Sequence, residues 1–237
     1  MVFLEGRGVI VALDTWDLEL IEKIVGATSN IDGVAGYKIG LMASLTHGLK
    51  KTVKTIRRIT SKPIIYDHQK AMTDTPHIGE GFARIMRVSG VDAAIGFPHS
   101  GPRVLISWVE ALRRECVLPI IGGEMTHDGF LRSEGGYICD DAPLSIYMAS
   151  SDLGVEHYVL PASKIARALK YAEIISARVN NPVFLLPGVG LDGEIDPLLS
   201  QMISSYRNVH LILGRALMRR DLSRDHVERI IRRLGLR

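Results

Sequence analysis

Short runs of apolar, often β-branched residues recur along the chain at 9–13, 36–39, 63–66, 93–97, 118–121, 157–160, 183–186 and 210–213. Each ends in polar residues or glycine. Runs this short and this continuously apolar read as strands buried on both faces. Between them the period changes. In 17–25, Leu18, Leu20, Ile21 and Ile24 mark one side of a helix. Comparable amphipathic stretches fall at 45–59, 77–88, 104–114, 142–153, 163–176, 194–206 and 224–234. Strand and helix thus alternate eight times, which predicts an α/β fold with a parallel sheet covered by helices on its outer face. Eight such repeats close a (β/α)8 TIM barrel in about 250 residues, and the chain has 237. An open doubly wound sheet is the alternative, but no Gly-x-Gly-x-x-Gly follows the first strand to support it. No linker or low-complexity stretch divides the sequence, so the expectation is one barrel domain over 1–237.

Composition narrows the function classes. Apolar residues make up 46% and charged residues 23%, ordinary values for a globular chain that buries its own core. The net charge of +3 gives no reason to expect nucleic acid or a membrane surface as partner. The segment 219–237 is locally basic, but its arginines alternate with Leu, Val and Ile at helical spacing, so it reads as a solvated helix face. No apolar stretch approaches the roughly 20 residues of a membrane span. Two cysteines, Cys116 and Cys139, do not make a disulfide framework, and the acidic and polar residues near the N-terminus do not suit a signal peptide. The expectation is a cytoplasmic protein.

In a barrel of this kind chemistry sits where strands end and the following loops begin. Those places are rich in polar residues here. The first strand ends in Asp14, the second carries Lys38, and the third ends in Asp67 with Lys70 and Asp74 close behind. A lysine between carboxylates keeps its charge, and a positioned ammonium can protonate a developing carbanion. Asp74 or Thr75 before Pro76 also reads as a helix start, a cap followed by proline in the first turn. The fifth strand runs into Glu124-Met125-Thr126-His127. The seventh opens into Pro187-Gly188-Val189-Gly190, with Gly193 following, and the eighth into Gly214-Arg215. Glycines at these two turns, one beside an arginine fork, suit a phosphate held by backbone N–H groups and a guanidinium. The stretch 191–197 reads as a lid over that ligand. His68, His77, His99 and His127 show no His-x-His or His-x-x-x-His spacing, so a metal-free site is expected.

Taken together, these residues resemble the orotidine 5′-monophosphate decarboxylase family over nearly the whole chain. Val11-Ala12-Leu13-Asp14 and Tyr37-Lys38-Ile39-Gly40 match its first two strand ends. Asp67, Lys70, Asp74 and Pro76 resemble its Asp-x-Lys-x-x-Asp motif, with one extra residue on each side of the lysine. Gly96-Phe97-Pro98 looks like its fourth strand end, and Glu124-Met125-Thr126-His127 is similar to its Glu-Met-Ser-His segment. Asp192 stands where the family has glutamine in the phosphate loop, and a carboxylate there is expected to point away from the phosphate. The resemblance implies cofactor-free decarboxylation of orotidine 5′-monophosphate (OMP) to uridine 5′-monophosphate (UMP) in pyrimidine biosynthesis. It implies Lys70, Asp67, Lys38 and Asp74 as the catalytic set, with Asp74 supplied by the other subunit of a homodimer. Substrate contacts then fall to Asp14, Lys38, Met125, Thr126, Gly188, Gly190, Asp192, Gly214 and Arg215, and no metal is implied. Two alternatives stay open at this point: a magnesium-dependent sugar-phosphate decarboxylase or synthase of the same superfamily, and a nucleotide-binding barrel that has lost catalysis.

Overall fold

A computed structural model describes residues 4–68, 71–191 and 195–236. Its eight strands are β1 (Arg7–Leu13), β2 (Val34–Ile39), β3 (Ile64–Asp67), β4 (Ala93–Gly96), β5 (Leu118–Gly122), β6 (His157–Val159), β7 (Val183–Pro187) and β8 (Asn208–Leu213). They pair in sequence order, all parallel, and β8 returns to β1 with Val9 opposite Leu211 and Val11 opposite Leu213. The result is a closed (β/α)8 barrel.

The helices are α1 (Leu18–Thr28), α2 (Leu41–His47), α3 (Leu49–Arg57), α4 (Ile78–Ser89), α5 (Pro102–Arg114), α6 (Ala142–Asp152), α7 (Ile165–Ser176), α8 (Pro197–Ser205) and α9 (Arg224–Arg233). Several starts follow from local chemistry. The Asp17 carboxylate accepts from the N–H groups of Glu19 and Leu20 to begin α1. Asp196 does the same for Leu198, with Pro197 in the first turn of α8. Two expectations need correction. The amphipathic stretch 45–59 is two helices, because Gly48 takes φ +80° and ends α2 before α3 begins. Neither Asp74 nor Thr75 caps α4; a turn at Pro76–His77 intervenes, and the helix starts after His77.

Two apolar layers follow from the pleat of the strands. In β1, Val9, Val11 and Leu13 belong to the shell between strands and helices, while Ile10 and Ala12 belong to the barrel interior. The same alternation puts Ile65, Ile95, Ile120, Val159, Leu185 and Ile212 inside. Continuing it by two residues past Ala12, Ile65, Ile95 and Ile212 reaches Asp14, Asp67, Phe97 and Gly214. Lys38 lies between Tyr37 and Ile39, both in the outer shell, so it too faces inward. The parity that buries the core thus delivers the polar residues to the inner wall at the C-terminal mouth.

Candidate active site

Lys38 rises from β2 between two carboxylates. Its Nζ donates to Asp67 Oδ2 at 2.8 Å and to Asp14 Oδ1 at 3.1 Å. The Lys38 and Asp67 side chains are 9% and 8% exposed, whereas Asp14 is half open at 46%. Burial alone lowers the pKa of Lys38, but the fields and hydrogen bonds of Asp67 and Asp14 outweigh it and raise the value above that of a free lysine. Close approach needs Gly40, because a Cβ there would lie 2.8 Å from Asp14 Oδ1. Among the described residues, the second oxygen of Asp67, Oδ1, is buried with no partner. Two carboxylates face one ammonium here among the described residues, an arrangement suited to a further cation or donor.

The row opens onto a cavity of about 510 Å³. Asp14, Lys38 and Asp67 form one side, and Gly188–Gly190 with Gly214–Arg215 form the other. Ile95, Phe97, Val159 and Ile212 make an apolar floor. Arg215 is exposed at the rim, with no carboxylate partner among the described residues. The N–H groups of Gly190, Arg215 and Ala216 have no backbone acceptor among the described residues either. A guanidinium and several open N–H groups around one pocket make a donor set suited to an anion. Gly188 turns with φ +85°, where a side chain is strained, and a Cβ there would also meet Thr126 Cγ2 at 3.1 Å.

The barrel therefore brings Asp14, Lys38, Asp67, Gly188, Gly190, Gly214 and Arg215 to one cavity. Thr126 and Met125 do not line it: Thr126 packs half-buried against Gly188, and Met125 packs on the interior cluster. Asp74 is not brought in: it is exposed, and its Oδ1 accepts from the N–H of Thr75 at 2.6 Å. Lys70, Asp192 and Gly193 lie outside the described residues. Among the described residues, no group of three or more His, Cys, Asp or Glu side chains is placed to hold a metal ion.

No protein-family profile and no curated protein matches the chain. Solved structures do. An orotidine 5′-monophosphate decarboxylase from Methanocaldococcus jannaschii, complexed with the inhibitor BMP, superposes with a TM-score of 0.81 at 22% identity, over 97% of this chain and 99% of that one. The orotidine 5′-phosphate decarboxylase of Pyrococcus horikoshii OT3 gives 0.75 at 19% identity, over 96% and 99%. A further Methanocaldococcus jannaschii structure of orotidine 5′-monophosphate decarboxylase gives 0.75 at 20%, over 95% and 98%. The chain shares the fold of these decarboxylases from end to end.

Two features of the site escape sequence reasoning. The first is a close-packed pair, Phe97 and Gly122. A Cβ on Gly122 would overlap the Phe97 ring, so the glycine makes room for an aromatic wall of the cavity. The second is an ion cluster behind the fifth strand. Glu124, 1% exposed, meets Lys164 Nζ at 3.0 Å and Arg167 at 2.6 Å, and accepts from the Tyr171 hydroxyl at 2.8 Å. Glu134 also pairs with Lys164, at 2.9 Å, and with Arg167. The hydrogen bond from Lys164 lowers the pKa of Glu134 most; burial opposes it, and the hydrogen bonds from Arg167 and two backbone N–H groups then hold the carboxyl down to about 2. A signal was present: 164, 167 and 171 fall at helical spacing on one face. Their carboxylate partners, 30 and more residues away, carry no such mark.

Proposed function

We propose that the protein decarboxylates OMP to UMP and carbon dioxide without a cofactor, as a homodimer that exchanges Asp74 between subunits. One observation carries this reading: the Asp14–Lys38–Asp67 row and the open donors of Arg215 and its neighbouring N–H groups face the same cavity. A nucleotide monophosphate presents the matching ends, a phosphate and a ribosyl base. The fold shared with known decarboxylases supports it.

In this reading Gly190, Gly214 and Arg215 hold the phosphate, and Asp14 and Lys38 take the ribose hydroxyls. Thr126 orients the pyrimidine. Asp67 stands beside the substrate carboxylate and places its charge there. The C6–carboxylate bond breaks, its electron pair stays on C6, and the Lys70 ammonium delivers the proton; solvent then restores the ammonium. Phosphate contacts far from C6 contribute by holding the closed, oriented complex.

The test is an absorbance assay of the purified protein with OMP, with and without EDTA. The expected result is conversion to UMP that survives EDTA. Lys70→Ala is expected to cut turnover by about 10³-fold or more while UMP still binds. No conversion, or near-normal turnover by the variant, overturns the assignment. Loss of activity in EDTA alone redirects it to a magnesium-dependent sugar-phosphate enzyme.

A further inference from the structure

The loop after β5 carries Thr126 and is pinned at three points by one segment, the turn between β6 and α7 together with the first two turns of α7. Two residues before Thr126, the buried Glu124 is held by Lys164, Arg167 and Tyr171. Eight residues after it, Glu134 is held by the same Lys164 and Arg167. Glu134 also accepts from the N–H groups of Phe130 at 3.1 Å and Leu131 at 3.4 Å, which folds the loop onto itself. Between these anchors, Ser163 Oγ donates to the carbonyl oxygen of Thr126 itself at 2.6 Å.

The third partner is the turn after β7. A Cβ on Gly188 would meet Thr126 Cγ2 at 3.1 Å and the Ser163 backbone nitrogen at 3.4 Å, so three loops converge on one point. Gly188 opens the segment that lines the anion side of the cavity. Displacing Thr126 therefore alters its spacing to the phosphate turn. Two carboxylates and two cations also balance, so the cluster leaves no net charge beside the cavity.

We propose that Glu124, Glu134, Lys164 and Arg167, with Ser163 as the contact arm, are positioning residues that set Thr126 in register with the Gly188–Gly190 turn. The cluster touches no ligand in this scheme. It determines which ligand length fits: a base edge and a phosphate joined by one ribose. This rests on the nucleotide reading above.

Calorimetric titration of the full-length protein with UMP and with ribose 5-phosphate tests it. Ribose 5-phosphate keeps the phosphate and sugar but has no base to present to Thr126. Glu134→Gln and Ser163→Ala are expected to weaken UMP binding by about 10-fold or more, since a displacement near 1 Å can cost on the order of 100-fold. Ribose 5-phosphate binding is expected to change less than about 2-fold, as no phosphate contact is removed. Lys164→Arg, which keeps the charge, is expected to retain most of the affinity for UMP. Equal losses for both ligands, or unchanged UMP binding, overturn the positioning role. Ser163→Ala removes one hydroxyl and leaves the ion cluster whole, so it carries the test if Glu134→Gln does not fold. A wild-type protein that binds ribose 5-phosphate but not UMP sinks the nucleotide reading and this inference with it; wild-type UMP binding with base-independent losses sinks the inference alone.

Discussion

Lys38 holds two carboxylates together inside the wall of a barrel, and its removal exposes what that arrangement costs. Lys38→Met leaves Asp67 buried and uncompensated, a change of about 3–5 kcal/mol where one member of a buried pair is lost. The pH dependence has a definite sign. The folded pKa of Lys38 is raised, so its stabilisation is fully present below the unfolded value near 10.4 and is lost as pH rises through the folded value. Thermal unfolding of wild type and variant should therefore differ by a constant amount from about pH 7 to 9, with the gap closing in stronger alkali. A gap independent of pH up to about 11.5 refutes the pairing as its source. Arg215 sits at the other side of the cavity with no carboxylate partner among the described residues. Arg215→Ala is expected to weaken UMP binding by about 10- to 100-fold, the loss of one charge-assisted fork, and to leave uridine binding unchanged. Equal effects on both ligands in a titration argue against a phosphate contact. Asp14, Lys38 and Asp67 could be picked out from the chain because strand-end position is visible in the apolar pattern. Whether Lys70 joins them is not written in that pattern, since the motif around it carries two extra residues.

Elements obey the same logic with different limits. Period-two burial is local, so the inward set Ile10, Ala12 and Asp14 can be counted along β1 without knowing its neighbours. The break at Gly48 is less visible, because an isolated glycine in an amphipathic stretch is often tolerated within a helix. Packing between neighbouring strands is invisible to any count along the chain. Gly96 pairs with Ile121, which sets Phe97 beside Gly122 one step further on. Gly122→Ala is expected to destabilise by about 1–3 kcal/mol through overpacking. Adding Phe97→Leu should recover at least about half of that, as contacting residues couple. Denaturant melts of the single and double variants check this, and additive losses count against a shared space.

At the scale of the whole molecule, Asp74 is the open question, exposed on the described chain and away from the cavity. If a second copy supplies it, Lys70→Ala and Asp74→Ala proteins are each inactive, yet their mixture works. Random exchange makes half the dimers hybrid, and each hybrid has one intact site of two, so about a quarter of wild-type activity is expected. A steady-state assay of the equilibrated mixture measures it, and no recovery rules out a shared site.

The barrel itself was legible in the sequence because its cause is local and repeated. Continuous apolar strands need cover on both faces, and alternating amphipathic helices supply one of those covers eight times over. The strand-end residues were legible for the same reason. Tertiary structure alone decided that Lys38 bridges Asp14 and Asp67, that Phe97 fills the space over Gly122, and that Lys164 and Arg167 hold Glu124 and Glu134 together. Those contacts join residues about 25 to 45 positions apart, across neighbouring βα units, and the apolar pattern does not record which distant partners a buried charge will meet.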